Sequence, residues 1–286
     1  MAVATIDGLN ISYELIGEGR PWIITPGGRF SKDTPGVRTL AEELASKGNS
    51  VVIWDRPNTG ESDLCFRGDS ESQMQADTLV GLLRHLDLGP TMIMGGSGGA
   101  RVSLLASVRE PERVSGLAML WISGGLYGLL TLAMVYGGDS FREAFTGGMQ
   151  AVAALPEWQE AQERNPRNRD ILLSQDRDAF LATMERWMEI YCPQVGVTVP
   201  GLSDKDFANI TFPSLVFRSG QSDPHHTRIT SETVASLLPH NTLVEPPWGD
   251  REWIERMEGA QAGGGLFERW PLLAPQLLEF ADSINK

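Results

Sequence analysis

Two hydrophobic rhythms alternate along the first half of the chain. Short unbroken apolar runs, such as PWIIT (Pro21 to Thr25), SVVIW (Ser50 to Trp54), TMIMGG (Thr91 to Gly96) and SGLAMLWISGG (Ser115 to Gly125), have the length and β-branched content of strands buried on both faces. Between them lie stretches with apolar residues three and four apart: TLAEELASKG, MQADTLVGLLRHLDLG and ARVSLLASVREPERV. These read as amphipathic helices, the first stopped by Gly48. Near the N-terminus, ATIDGLNISYELIG reads as two short strands around the turn at Asp7-Gly8. Strands separated by helical patterns predict an α/β fold, a mainly parallel sheet with helices on both faces.

The rhythm changes from about Leu126 to Ala208. SFREAFTGGMQAVAAL, PEWQEAQERN and RDAFLATMERWMEIYC are helical in pattern, rich in Met, Trp and charge, with no good strand among them. The alternation returns with FPSLVFRSG, ITSETVASLL, NTLVEPP and the closing WPLLAPQLLEFADSI. The expected organisation is an α/β core of residues 1–125 and 209–286 with a helical cap, residues 126–208, inserted into it.

Composition narrows the chemistry. A net charge of −13 over 286 residues repels phosphate backbones and anionic lipid, so nucleic acid and membrane are poor partners and a small-molecule substrate is expected. Cys65 and Cys192 are the two cysteines, too few for a disulfide framework or a zinc cluster, and they suit a reducing compartment. With no basic and apolar leader pattern at the N-terminus and no run of about 18 apolar residues, a cytoplasmic location is expected. No phosphate loop, dinucleotide fingerprint or metal-ligand cluster stands out, so neither a cofactor nor a metal is expected. The oligomeric state stays open, a homodimer included.

GGSGGA (Gly95 to Ala100) places one hydroxyl between glycine pairs at a strand-to-helix joint. G-x-S-x-G there is the pattern of a nucleophile elbow, a strained turn that lifts a serine Oγ above the sheet edge with a helix N-terminus behind it. A glycine-rich turn that merely bends the chain is the plainer alternative.

With ITPGGRF (Ile24 to Phe30) and WDRPNTGESD (Trp54 to Asp63), this stretch resembles the α/β-hydrolase fold family, capped subgroup, over nearly the whole chain. The resemblance implies Ser97 as nucleophile and the Gly28 and Gly98 N–H groups as an oxyanion hole, each donor worth roughly 3–4 kcal/mol. It also implies Asp223, in Gly220-Gln221-Ser222-Asp223, as the acid of a triad. Asp55, Arg56, Asn58, Gly60, Ser62 and Asp63 read as a structural loop. Arg29 follows the proposed oxyanion donor, and its head would serve a carboxylate-bearing substrate if it reached the pocket.

The chain departs from the family at the base. Where a Gly-His pair would follow the last strand, Gly249 is followed by Asp250. Of the four histidines, His85 and His240 read as surface residues, leaving His225 and His226 just after Asp223. Three readings stay open. One of these histidines is the base, with Asp250 orienting it and Asp223 a turn residue or second partner. Alternatively, Asp250, desolvated by Trp248 and Trp253, is itself an acid or base for proton-transfer chemistry such as decarboxylation or C–C cleavage. In the third, the pocket binds a ligand without turning it over. Trp187 and Met188, with Trp248, are candidate contacts for a small, mostly apolar or aromatic ester, lactone or carbonyl compound. The sequence thus predicts that Asp250 projects toward Ser97.

Overall fold

The structure is a computed structural model describing residues 2–284. The expected core limits at Met1 and Lys286 therefore lie just outside it. The chain runs β1 (Ala2–Ile6), β2 (Leu9–Ile16), β3 (Arg20–Thr25), α1 (Val37–Ala45), β4 (Asn49–Trp54), α2 (Glu71–Leu86), β5 (Thr91–Gly96), α3 (Gly98–Arg109) and β6 (Val114–Leu120). Helices α4 (Leu126–Ala133), α5 (Asp139–Ala153), α6 (Pro156–Arg164), α7 (Arg167–Leu173) and α8 (Arg177–Glu189) follow. Then come β7 (Ser214–Phe217), α9 (Arg228–Leu237), β8 (Asn241–Val244), α10 (Glu252–Gln261) and α11 (Ala274–Ile284).

The strands form one sheet ordered β1-β2-β4-β3-β5-β6-β7-β8. The β1–β2 and β2–β4 pairings are antiparallel, and the pairings from β4 through β8 are parallel. β4 and β5 are buried at every position, as expected for strands covered on both faces. One face packs under α2, α3 and α9 around Ile23, Val52, Ile93, Leu117 and Val216. The other packs under α1 and α11 around Trp22, Ile24, Met94, Leu120 and Trp270.

Helices α4–α8 lie between β6 and β7 and add a third apolar cluster, with Trp158, Phe180, Met184 and Trp187 against Leu64 and Phe66. α7 and α10 are helices that the hydrophobic pattern did not pick out; both are short and rich in charge. A π-helical turn, Met134–Gly138, joins α4 to α5. No helix among the described residues is long and apolar enough to cross a membrane.

The β5–α3 joint leaves no room for side chains. A Cβ on Gly99 would lie 2.0 Å from the Thr25 carbonyl oxygen, and one on Gly95 would lie 2.3 Å from the Gly99 carbonyl oxygen. Both obstacles are backbone, so neither can swing away. Gly99→Ala is expected to destabilise the protein by about 2 kcal/mol or more, since overpacking against fixed atoms forces the main chain apart. Urea unfolding checks this; a midpoint unchanged from wild type would contradict the tight joint.

Candidate active site

Ser97 stands at the carboxyl end of β5, between that strand and α3, with φ 55° and ψ −122°. A non-glycine residue in this region is strained, and it persists only where its surroundings hold it. Here its N–H donates to the Leu120 carbonyl (3.1 Å), and Gly27 lies so close that a Cβ there would be 2.6 Å from Ser97 Cβ.

His226 Nε2 is 2.8 Å from Ser97 Oγ, and His226 Nδ1 is 2.8 Å from Asp223 Oδ2. Both residues come from the loop between β7 and α9. The second oxygen of Asp223 accepts the N–H groups of His225 and His226, each at 2.9 Å. One carboxylate thus folds the loop and orients the ring. Burial raises the affinity of Asp223 for a proton. The charge and hydrogen bond of His226, the His225 N–H and the Arg256 charge outweigh that and hold its carboxyl below the usual range.

Sequence reasoning did not single out Arg256. It lies on α10, after β8, in the part of the chain where the resemblance placed a base. Its guanidinium donates to Asp223 Oδ2 (3.2 Å), lies 4.1 Å from the centre of the Trp121 ring and pairs with Glu252 (2.9 Å). Trp121 in turn stacks on His226, ring centres 6.3 Å apart. Burial pushes the Glu252 carboxyl up, the Arg256 charge opposes this, and the nearby Asp223 adds to the rise. An acidic or basic residue one helical turn from Glu252 was the only available signal: E-x-x-x-R is an i, i+4 pair.

The Gly27–Gly28 loop is held from behind. Arg56 donates to the carbonyls of Gly27 (3.2 Å) and Gly28 (2.7 Å). Across a trans peptide the N–H points opposite the carbonyl, so this grip turns the Gly28 N–H away from Arg56. The point where a Gly98 Cβ would stand is 3.5 Å from Gly28 N and 3.0 Å from the Tyr136 hydroxyl. Gly28, Gly98 and Tyr136 therefore meet beside Ser97. The loop Asp55–Asp63 is locked by Lys32, whose buried ammonium binds Asp55 (3.0 Å) and Glu61 (2.8 Å).

Other expected site residues lie elsewhere. Asp250 does not project toward Ser97: its side chain is 51% exposed and paired with Arg228 at the protein surface. Its backbone carbonyl instead accepts the Ser222 N–H, which ties the two loops together. The reason is the neighbouring cation, which holds the carboxylate in solvent, so Trp248 and Trp253 do not desolvate it. Trp248 packs on Trp121, ring centres 5.9 Å apart. His225 is turned away from Ser97 toward Tyr127 and Trp253, and burial lowers its basicity. Trp187 is spent in the third apolar cluster, stacked on Phe66 with its N–H on the Gly68 carbonyl, whereas Met188 lies against Gly137 beside Tyr136. Arg29 lies over Trp158 (4.3 Å) and donates to the Tyr136 carbonyl (3.1 Å), with Glu71 at 3.5 Å.

Solved structures settle the architecture. An enol-lactonase from Burkholderia xenovorans aligns over 98% of this chain and 100% of its own (TM-score 0.59, 19% identity). A thermophilic esterase from Thermogutta terrifontis aligns over 100% and 99% (TM-score 0.62, 18% identity). A meta-cleavage product hydrolase from Pseudomonas fluorescens aligns over 99% and 98% (TM-score 0.61, 17% identity). The chain has the α/β-hydrolase fold. No family model matches it. Among curated proteins it is 32% identical over 127 residues to a 2-hydroxy-6-oxononadienedioate/2-hydroxy-6-oxononatrienedioate hydrolase of Pseudomonas putida, covering 42% of each chain. An uncharacterised hydrolase of Bacillus subtilis is 29% identical over 123 residues, 43% of this chain and 44% of that one. The chain thus spans about two-fifths of the length of the curated relatives it matches.

The depressed proton affinity of Asp223 sets a pH dependence. Its contribution to stability is fully present above the unfolded carboxyl value of about 3.9 and is lost as pH falls through the lower native value. The urea-midpoint advantage of wild type over Asp223→Asn is therefore expected to be constant at neutral pH and to shrink below about pH 4. An advantage that grows on acidification would contradict the ionised carboxylate.

Proposed function

We propose that this protein is a serine hydrolase of small esters, lactones or related carbonyl compounds, with Ser97 as nucleophile, His226 as base and Asp223 as its orienting acid. The observation that carries the reading is the unbroken relay Asp223–His226–Ser97, with 2.8 Å at each step. A neutral His226 that donates Nδ1–H to Asp223 presents the Nε2 lone pair to the Ser97 hydroxyl.

In this mechanism Ser97 Oγ attacks the scissile carbonyl carbon while its proton passes to His226 Nε2. The Gly28 and Gly98 N–H groups receive the oxyanion, and the positive end of α3 favours the same charge. As the tetrahedral intermediate collapses, the imidazolium returns its proton to the leaving alkoxide. A water, deprotonated by the same ring, then releases the acid from Ser97. Asp223 stabilises the imidazolium and stays ionised. Arg256 acts through Asp223: it holds the carboxylate in place and, stacked on Trp121, fixes the wall behind the His226 ring.

Helices α4–α8 serve as a cap over the serine, and the π-helical turn between α4 and α5 brings Tyr136 to the oxyanion donors. The names of the relatives support the reaction type: a dienedioate hydrolase, an enol-lactonase and an esterase all act on small carbonyl compounds.

Turnover of para-nitrophenyl valerate tests the assignment. Ser97→Ala and His226→Ala are each expected to lower kcat by at least roughly 10²-fold, the scale of a lost nucleophile or general base. Asp250→Asn is expected to stay within about threefold of wild type, as a surface change away from the chemistry. Loss of activity in Asp250→Asn with activity kept in His226→Ala would overturn the proposal.

A further inference from the structure

Two guanidinium groups, those of Arg56 and Arg101, are buried around the α3 N-terminus, with Arg29 half-buried beside them, in a chain whose net charge is −13. Arg56 spends its two Nη groups on the carbonyls of the oxyanion loop and on Gln75, leaving Nε unpaired. Arg29 has Glu71, which also accepts from Asn58 (2.9 Å). Arg101 has no carboxylate among the described residues. It is 3% exposed, donates from Nε to the Ser72 hydroxyl (2.7 Å) and from Nη2 to the Tyr191 hydroxyl (2.9 Å), and its Nη1 has no partner. Burial holds the Tyr191 phenol well above its usual range, so it stays neutral beside the nearby Arg101 charge and supplies no counter-ion.

A buried cation left without an anion is costly, and a group so placed awaits one from outside. Its position says which. Arg101 is one helical turn beyond Ser97, and its Nη2 is 3.8 Å from the point where a Gly98 side chain would begin. The Tyr136 hydroxyl reaches to within 3.0 Å of that same point, without a hydrogen bond to another described side chain. The Tyr136 and Tyr191 rings stack 5.9 Å apart under the guanidinium and screen it from water. Charge, donors and an apolar wall therefore converge next to the oxyanion donors rather than at the His226 ring, which protonates the leaving group and so faces the alcohol part of the substrate.

We infer that Arg101 and the Tyr136 hydroxyl form a carboxylate subsite, and that the substrate carries a carboxylate on the acyl part attached to its scissile carbonyl. This rests on the serine-hydrolase reading and narrows it. Arg29, next to the oxyanion loop, is the other cation of the region, but Glu71 and Trp158 occupy it. Arg29 and Arg56 each keep a buried, unpaired Nε; at Arg101 the unpaired atom is the terminal Nη1, and no described carboxylate pairs with its guanidinium.

Paired esters of equal length test the subsite: the para-nitrophenyl monoester of glutaric acid against para-nitrophenyl valerate. Wild type is expected to favour the glutarate monoester in kcat/KM by roughly tenfold or more, the scale of a hydrogen bond to a charged group. That ratio is expected to collapse in Arg101→Met and to fall in Tyr136→Phe. Free glutarate is expected to compete with valerate ester hydrolysis where glutaramide does not. If Arg101→Met does not fold, the Tyr136→Phe ratio and the glutarate competition decide. Cleavage of both esters without preference for the anion, or a preference that survives in folded Arg101→Met, overturns the subsite and leaves the serine reading intact. Failure of wild type to cleave either ester overturns the serine reading, and the subsite with it.

Discussion

The carboxylate of Asp223 is the contact on which the site depends. One oxygen binds two consecutive N–H groups of its own loop, and the other binds the His226 ring. Charge-assisted hydrogen bonds of this kind are among the stronger ones available to a protein. Here they couple loop shape to ring orientation, so the loop cannot loosen without the His226 ring turning away from Ser97. Placing the Asp223 carboxylate and the His226 imidazole three residues apart also frees the segment after β8. That segment supplies Arg256, which pairs with the same carboxylate oxygen as the His226 ring and stacks on Trp121.

A second constraint lies under the serine. The strained backbone of Ser97 survives because α3 is pressed against the end of β3, with no room for a side chain at Gly95 or Gly99. The same closeness brings the Gly27–Gly28 loop within reach, and Arg56 fixes the face that the loop presents. The strain at Ser97 and the placing of the Gly27–Gly28 loop share one packing problem: a helix brought nearly into contact with a strand. His226 is then brought in from the loop after β7, two strands along the sheet from β5.

Much of this was legible in the sequence because it is local. The alternation of buried strands and amphipathic helices gives the sheet, and GGSGGA at a strand-to-helix joint gives the elbow. His226 was within view as one of two neighbouring histidines, but choosing between them needs the direction in which each ring leaves the loop. Asp250 misled because position after the last strand was taken for orientation, while its side chain is held outward by Arg228, a residue 22 positions earlier. Trp187 and Met188 share a helical spacing that fits a pocket wall and a core equally well; the structure puts Trp187 in the core. Arg101 carried no signal at all. A single arginine in ARVSLLA reads as a solvated residue, and only tertiary burial beneath Tyr136 and Tyr191 makes it chemically distinctive.

Covalent labelling of Ser97 by a fluorophosphonate probe, read by intact mass and peptide mapping, bears most directly on the relay, because the probe needs an activated hydroxyl and no knowledge of the substrate. Wild type and Asp250→Asn are predicted to label at Ser97 at similar rates, and His226→Ala to label at least roughly 10²-fold more slowly. Equal labelling of wild type and His226→Ala, or labelling lost in Asp250→Asn, would contradict the account.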